Sequence, residues 1–150
     1  MNSFSENKIT SKGASLLFNT LTEYILSVET INLSTNQLND DCMESLGEFI
    51  QNSQTIKNID IGNNKITDNK GIEILLPYLI GNLTIKEIGI YGNKEITDKS
   101  IPLLKEIIYK SNIEDIYIYE TSITNQYILD VPLIKNILKN GSDMIYMTRK

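Results

Sequence analysis

Four stretches of the chain share one arrangement of apolar and polar residues. VETINLSTNQL begins at Val28, IKNIDIGNNKI at Ile56, IKEIGIYGNKEI at Ile85 and IEDIYIYETSI at Ile113, at spacings of 28, 29 and 28 residues. In each, apolar side chains fall at the first, fourth and sixth positions, and a polar or small residue stands between the last two, as in Ile59-Asp60-Ile61, Ile88-Gly89-Ile90 and Ile116-Tyr117-Ile118. That alternation is the period of two of a short strand buried on one face. Behind the strands the period lengthens. Leu46, Phe49 and Ile50, then Ile72, Leu75, Leu76 and Leu79, then Ile101, Leu104, Ile107 and Ile108 recur at helical intervals, which is the stripe of a helix lying on a core.

Parallel neighbours in a sheet need a crossover of about a dozen residues or more, and the helical segments supply it. The pattern therefore predicts an α/β fold of stacked parallel strands with helices behind them. Asp40, Thr67-Asp68, Thr97-Asp98 and Thr124-Asn125 precede the helical stretches and carry oxygens able to cap free N–H groups. Pro102 falls in a first turn, where proline is tolerated. Pro77 and Pro132 fall deeper, where proline costs a regular helix about 3 kcal/mol, and a kink or break is expected at each.

Both ends echo the repeat. FSENKITSKGASLLFNTL, from Phe4, matches IGNNKITDNKGIEILLPYL, from Ile61, with Asn7 on Asn64, Ile9 on Ile66 and, across one missing residue, Gly13 on Gly71. Near the other end Ile145 and Met147 stand where a last strand would place its fourth and sixth residues. The chain divides as one domain, 1–150, into a truncated opening unit (4–27), full units (28–55, 56–84, 85–112, 113–141) and a capping strand (142–150). Asparagine holds the ninth position in Asn36, Asn64 and Asn93, echoed by Asn7. Where a strand turns towards its helix, buried backbone groups lack ladder partners, and an asparagine amide can both donate to them and accept from them. Thr121 takes this place in the last full unit, so the column should weaken there.

This pattern resembles the leucine-rich-repeat family, L-x-x-L-x-L-x-x-N-x-L, with isoleucine in most leucine positions. The 28–29-residue period and helical second half are similar to the ribonuclease-inhibitor-like subclass, which includes the repeat domains of Ran GTPase-activating proteins and tropomodulins. The resemblance covers nearly the whole chain. It implies a right-handed solenoid with its strands on a concave face and its helices on a convex face, and an asparagine ladder at Asn7, Asn36, Asn64 and Asn93. It also implies a non-catalytic module that holds a protein partner on the concave face. Repeat folds serve many partners, so two alternatives stand beside it: an actin-associated domain of tropomodulin type, and a GTPase regulator. The last is disfavoured because Arg149 is the only arginine, and GTPase activators commonly supply charge-stabilising groups.

In leucine-rich repeats the second, third, fifth, seventh and eighth positions line the concave face. Here the N-terminal half of that surface is small and polar, while the C-terminal half gathers Tyr91, Tyr117, Tyr119 and Tyr146 among Glu87, Glu114, Asp115 and Glu120. Adjacent strands lie about 4.8 Å apart, so Tyr91 should neighbour Tyr119, and Tyr117 should neighbour Tyr146. Exposed aromatics are favoured anchors at interfaces, and an acidic rim would steer a partner bearing a basic patch towards them. These eight residues are the candidate protein-binding site. The same tyrosines would also stabilise a sheet by roughly 0.2–1 kcal/mol per cross-strand pair without binding anything. Gly62, Gly89 and Gly92 either leave room for a partner side chain or relieve crowding within the curve.

Composition narrows the field further. Fourteen basic against nineteen acidic residues leave a net charge of −5, opposite to what nucleic acid requires. No apolar run reaches the roughly 20 residues of a membrane span. The N-terminus MNSFSENKITSKG lacks the apolar stretch of a signal peptide, and the single cysteine, Cys42, fits a reducing compartment. A cytoplasmic protein is expected. The absence of histidine removes the commonest general base and metal ligand; no catalytic residue, metal site or cofactor is assigned. Unpaired sheet edges leave open a monomer or a weak edge-to-edge dimer.

Overall fold

The isoleucine at each unit's fourth position stands in register with the next: Ile31 pairs with Ile59, Ile59 with Ile88, and Ile88 with Ile116. These pairings join β2 (Thr30–Asn32), β3 (Asn58–Asp60), β4 (Glu87–Gly89) and β5 (Asp115–Tyr117) in a parallel sheet, with the short β1 (Asn2–Ser3) parallel along β2. The computed structural model describes residues 2–24, 27–124, 134–139 and 142–148, and side chains over 3–24, 27–68 and 70–124. Among the described residues, four helices follow successive strands: α1 (Ser11–Glu23), α2 (Met43–Asn52), α3 (Glu73–Leu79) and α4 (Ile101–Lys110).

The helical stripes and the strand isoleucines merge into one apolar interior. Phe18, Leu46, Phe49, Leu75, Leu79, Leu104 and Ile107 from the helices join Ile31, Ile59, Ile61, Ile88, Ile90 and Ile116 from the strands. Phe18 and Phe49 stack with centroids 6.1 Å apart, carrying the packing from α1 to α2. Each fully buried aliphatic side chain contributes about 1.5–3 kcal/mol to holding strand and helix together. Among the described residues, no helix is long and apolar enough to cross a membrane.

The helix entrances differ. A single 3-10 turn leads into α2 (Asp40–Cys42) and into α4 (Asp98–Ser100), whereas a wider π turn (Asp68–Ile72) leads into α3. Leu46 and Leu104 follow Asp40 and Asp98 by six residues, but Leu75 follows Asp68 by seven. The wide turn takes up that extra residue, as π turns commonly do, and returns Leu75 to the core. Helix α3 runs through Pro77 to Leu79 rather than breaking. Pro77 is the fifth residue of that helix, so the bond it cannot make would have run only to the first residue, Glu73. Pro102 lies in the first turn of α4, as expected; Pro132 lies outside the described residues.

Most of the oxygens expected to cap helices do something else. Asn39 accepts from the Asp41 N–H (3.2 Å) and Thr97 from the Lys99 N–H (3.3 Å), but the aspartates reach into the next unit. Asp40 accepts from the N–H and hydroxyl of Thr67 at 2.9 and 2.7 Å. Asp68 accepts the same pair from Thr97 at 2.8 and 2.6 Å, and also the Ser100 hydroxyl. Asp98 accepts from Thr124 at 2.7 and 2.9 Å. Three carboxylates thus clamp successive units at the helix entrances.

On the sheet side the asparagines make a second set of links. Asn36 donates to the carbonyls of Phe4, Leu33 and Ser34 and accepts from the Ile9 N–H (3.0 Å). Asn64 donates to Leu33, Ile61 and Gly62 and accepts from the Leu38 N–H (3.0 Å). Asn93, fully buried, donates to Ile61, Ile90 and Tyr91 and accepts from the Ile66 N–H (2.9 Å). Each amide therefore reaches back one unit. Among the described residues, Asn7 bonds only the nearby Phe4 and Ser5 carbonyls, and Thr121 only the Ile118 carbonyl and, at 3.4 Å, the Ile123 N–H. The residue before each ladder position, Glu6, Thr35, Asn63, Gly92 and Glu120, has a left-handed backbone with φ of 57°, 56°, 50°, 69° and 56°.

The C-terminal region departs from the repeat. Within 142–150 a strand, β7 (Ser142–Thr148), runs antiparallel to β5, with Ile116 opposite Met147 and Tyr117 opposite Tyr146. Residues 134–139 of unit 113–141, expected to be helical, form β6 (Ile134–Lys139) instead, antiparallel to β7 at the sheet's edge. Lys139 pairs with Ser142, and the two residues between them are Asn140 and Gly141, the dipeptide that most favours a two-residue hairpin. A preceding proline that cannot donate within a helix points the same way.

Candidate functional site

Among the described residues, the helices cover one face of the sheet and none lies on the other. At the second position, Lys57 pairs with Glu29 (2.8 Å) and Lys86 with Glu114 (2.7 Å). The Lys57 ammonium, by hydrogen bond and charge, holds the Glu29 carboxyl below its ordinary range. Exposed pairs of this kind contribute little stability, but they change the charge pattern. Glu114, expected to form part of an acidic rim, is neutralised by a lysine of the neighbouring strand.

Further along the strands the side chains interlock. Asn32 accepts from the Ser34 N–H (2.9 Å) and hydroxyl (2.7 Å). Asp60, one unit on, accepts from the Gly62 N–H (3.0 Å) and from the Tyr91 hydroxyl (3.0 Å). Tyr91 leans back across Gly62, where an added Cβ would stand 2.4 Å from the ring. Tyr119 stacks on Tyr91 with centroids 4.4 Å apart and planes 9° from parallel. Burial raises the pKa of both phenols, and the Asp60 charge adds to the shift. Burial likewise raises Asp60, against the opposing effect of its two hydrogen bonds.

The structure thus brings together Tyr91 and Tyr119. Tyr117 and Glu87 line a groove with Tyr91 and Asp60, and the Asn58 amide donates to Glu87 at 3.3 Å. Asp115 is half-buried on β5, while Glu120 is exposed beside them and gives its carbonyl to the Lys94 ammonium (2.6 Å). The backbone of Tyr146 pairs with that of Tyr117; its side chain lies outside the described residues. The glycines are not open to a partner in the expected way. Tyr91 covers Gly62, Asp60 and Tyr91 crowd Gly89, and an added Cβ at Gly92 would meet Asn63 Oδ1 at 1.9 Å. They make room for neighbours in this chain.

Sequence reasoning missed Asp60, which anchors Tyr91. Its signal was its place at the fifth position, two residues before a glycine, matching Asn32 before Ser34. Cys42 is buried, and burial raises its thiol pKa. Among the described residues, no group of three or more Cys, Asp or Glu side chains is arranged to hold a metal ion.

The geometry defines an α/β protein with a parallel sheet covered by helices on one face. No family model matches the chain, and no curated protein matches it. Among solved structures 47 chains match. One is described as Leiomodin-1 Actin-Binding Site 2, with a TM-score of 0.66 and 15% sequence identity over 87% of this chain and 78% of that one. At that identity the likeness establishes the fold alone.

Proposed function

We propose that this chain is a leucine-rich-repeat solenoid that binds a protein partner, without catalysis, on the open face of its sheet. The observation that carries this reading is the Tyr91–Tyr119 stack, held on that face by Asp60 and Gly62. A pair of aromatic rings fixed in advance offers a broad contact surface with little rotamer freedom left to lose on binding. Glu87, Glu114, Asp115, Tyr117, Glu120 and Tyr146 extend the surface around it. The partner carries a basic patch, and the setting is the cytoplasm.

Actin is the partner class tested first, because one of the solved structures similar to this fold is described as an actin-binding site. The experiment measures fluorescence anisotropy of labelled monomeric actin with the full chain and with Tyr119→Ala and Tyr91→Ala. Micromolar binding weakened at least tenfold by both substitutions supports the reading. Binding that neither substitution alters removes the tyrosine face as the site. If actin does not bind, the same variants are compared by affinity capture from cell extract, and an identical captured set for all three proteins removes the proposal.

A further inference from the structure

The open face carries a groove next to the tyrosine stack, lined by Asn32, Asn58, Asp60, Glu87, Tyr91 and Tyr117 among others. Its floor is low at Gly89, where a side chain would collide with the Asp60 carboxylate at 2.9 Å. Asn58 and Glu87 are partners across β3 and β4, and Asp60 lies two residues along β3 from Asn58 on the same face. The two carboxylates are therefore diagonal neighbours, on the order of 7 Å apart at Cβ. One cationic group lying between them would be within reach of both.

The charges around this groove are unevenly satisfied. Lys57 and Lys86 stand beside it at the second position, but their ammonium groups are taken by Glu29 and Glu114. Among the described residues, none of the ion pairs includes Asp60 or Glu87. Asp60 receives only the Gly62 N–H and the Tyr91 hydroxyl, and Glu87 receives the Asn58 amide. Half-buried carboxylates without a counter-charge lose solvation that a cation would restore. Burial raises the pKa of Asp60, the mark of a carboxylate withdrawn from water.

We propose that this groove receives a lysine or arginine side chain of the protein partner, held between Asp60 and Glu87 against Tyr91 and Tyr117. The inference rests on the reading that the open face holds a protein, and it locates the charge recognition nearer the middle of the sheet than the acidic residues of β5. Glu114 already has its lysine. The recognised group is a cation, and an apolar or acidic side chain would leave both carboxylates unpaired.

The test uses the full chain and a fluorescein-labelled, end-blocked hexalysine peptide, read by anisotropy at low salt. Asp60→Asn with Glu87→Gln removes two charges from the groove. Glu23→Gln with Glu48→Gln removes two from exposed helix positions. Asparagine already makes the equivalent turn contact at Asn32, where it accepts from the Ser34 N–H, and at position 60 its Nδ2 can donate to the Tyr91 hydroxyl oxygen in place of the bond that Asp60 accepts, so a melt of the groove variant near that of the wild type is the check that the fold is kept. The expected result is at least tenfold weaker peptide binding by the groove variant and less than a twofold change in the helix variant. Equal weakening in the two overturns the proposal, because it reduces the effect to net charge. A partner interaction that Tyr119→Ala abolishes but the groove variant retains also overturns it, while leaving the wider reading standing. Peptide selectivity for the groove, with no partner lost on Tyr119→Ala, supports the groove and counts against that wider reading.

Discussion

Replacing Asn93 by alanine tests how the units are joined. The Asn93 amide is fully buried and satisfies the Ile66 N–H and the carbonyls of Ile61, Ile90 and Tyr91. Two of those carbonyls keep a partner after the substitution: Ile61 still receives Asn64, and Tyr91 still receives the Asn63 N–H. The Ile66 N–H loses its partner in a residue with no solvent exposure, and the Ile90 carbonyl loses its asparagine donor. Each buried group left unmatched costs about 1–3 kcal/mol, so Asn93→Ala should lose about 2–5 kcal/mol, a large part of the 5–15 kcal/mol typical of a whole domain. Asn7 is exposed, and the Phe4 carbonyl that it contacts also receives Asn36; Asn7→Ala should cost less than about 1 kcal/mol. Urea unfolding followed by circular dichroism measures both. A loss below about 1 kcal/mol at Asn93, or equal losses at the two sites, would refute the reasoning.

Three further outcomes follow from the same geometry. Gly92→Ala places a side chain at φ +69° and 1.9 Å from Asn63 Oδ1, and should destabilise by about 2–3 kcal/mol; a melting temperature within a degree of wild type would count against the tight approach. Thr121→Asn extends the amide column to a position where Thr121 now reaches only its own unit, and should raise stability by about 0.5–1.5 kcal/mol in urea unfolding; no gain would mean that the column cannot continue there. Because burial raises Asp60 above its ordinary 3.8, the folded chain holds that proton more tightly than the unfolded one. The group favours folding below this value, and the advantage is lost as pH rises through its folded pKa. Urea midpoints of wild type relative to Asp60→Asn should therefore fall as pH rises from the ordinary carboxyl range, about 4, towards neutrality; parallel profiles would show that Asp60 is not perturbed.

Much of the fold was legible because it depends on one-dimensional pattern. The register of Ile31, Ile59, Ile88 and Ile116 follows from the repeat spacing, and the meeting of Tyr91 with Tyr119 follows from their shared seventh position. What escaped depends on where a side chain reaches. Asp40, Asp68 and Asp98 have the composition of helix caps, yet their oxygens meet threonines of the following unit. The recurrent Thr-Asp pair was the available clue. Salt bridges between second-position residues turned part of an acidic rim into neutral pairs, which a list of charges along one strand does not show. At the C-terminal end the isoleucines suit a helix or a strand equally, and the Asn140-Gly141 pair is the signal in the sequence that favours two strands.

The backward reach of the ladder gives the molecule a sense of direction. Ile9, Leu38 and Ile66 each depend for a backbone partner on an asparagine supplied one unit later. During synthesis from the N-terminus, a newly emerged unit keeps an exposed, unmatched amide until its successor has left the ribosome and closed over it. Assembly then advances with a lag of one unit. Shortening the chain from its C-terminal side strips a finished unit of its asparagine seal, whereas shortening it from the N-terminal side takes the Ile9 carbonyl and the Ser11 hydroxyl away from the Gln37 and Asn39 N–H groups.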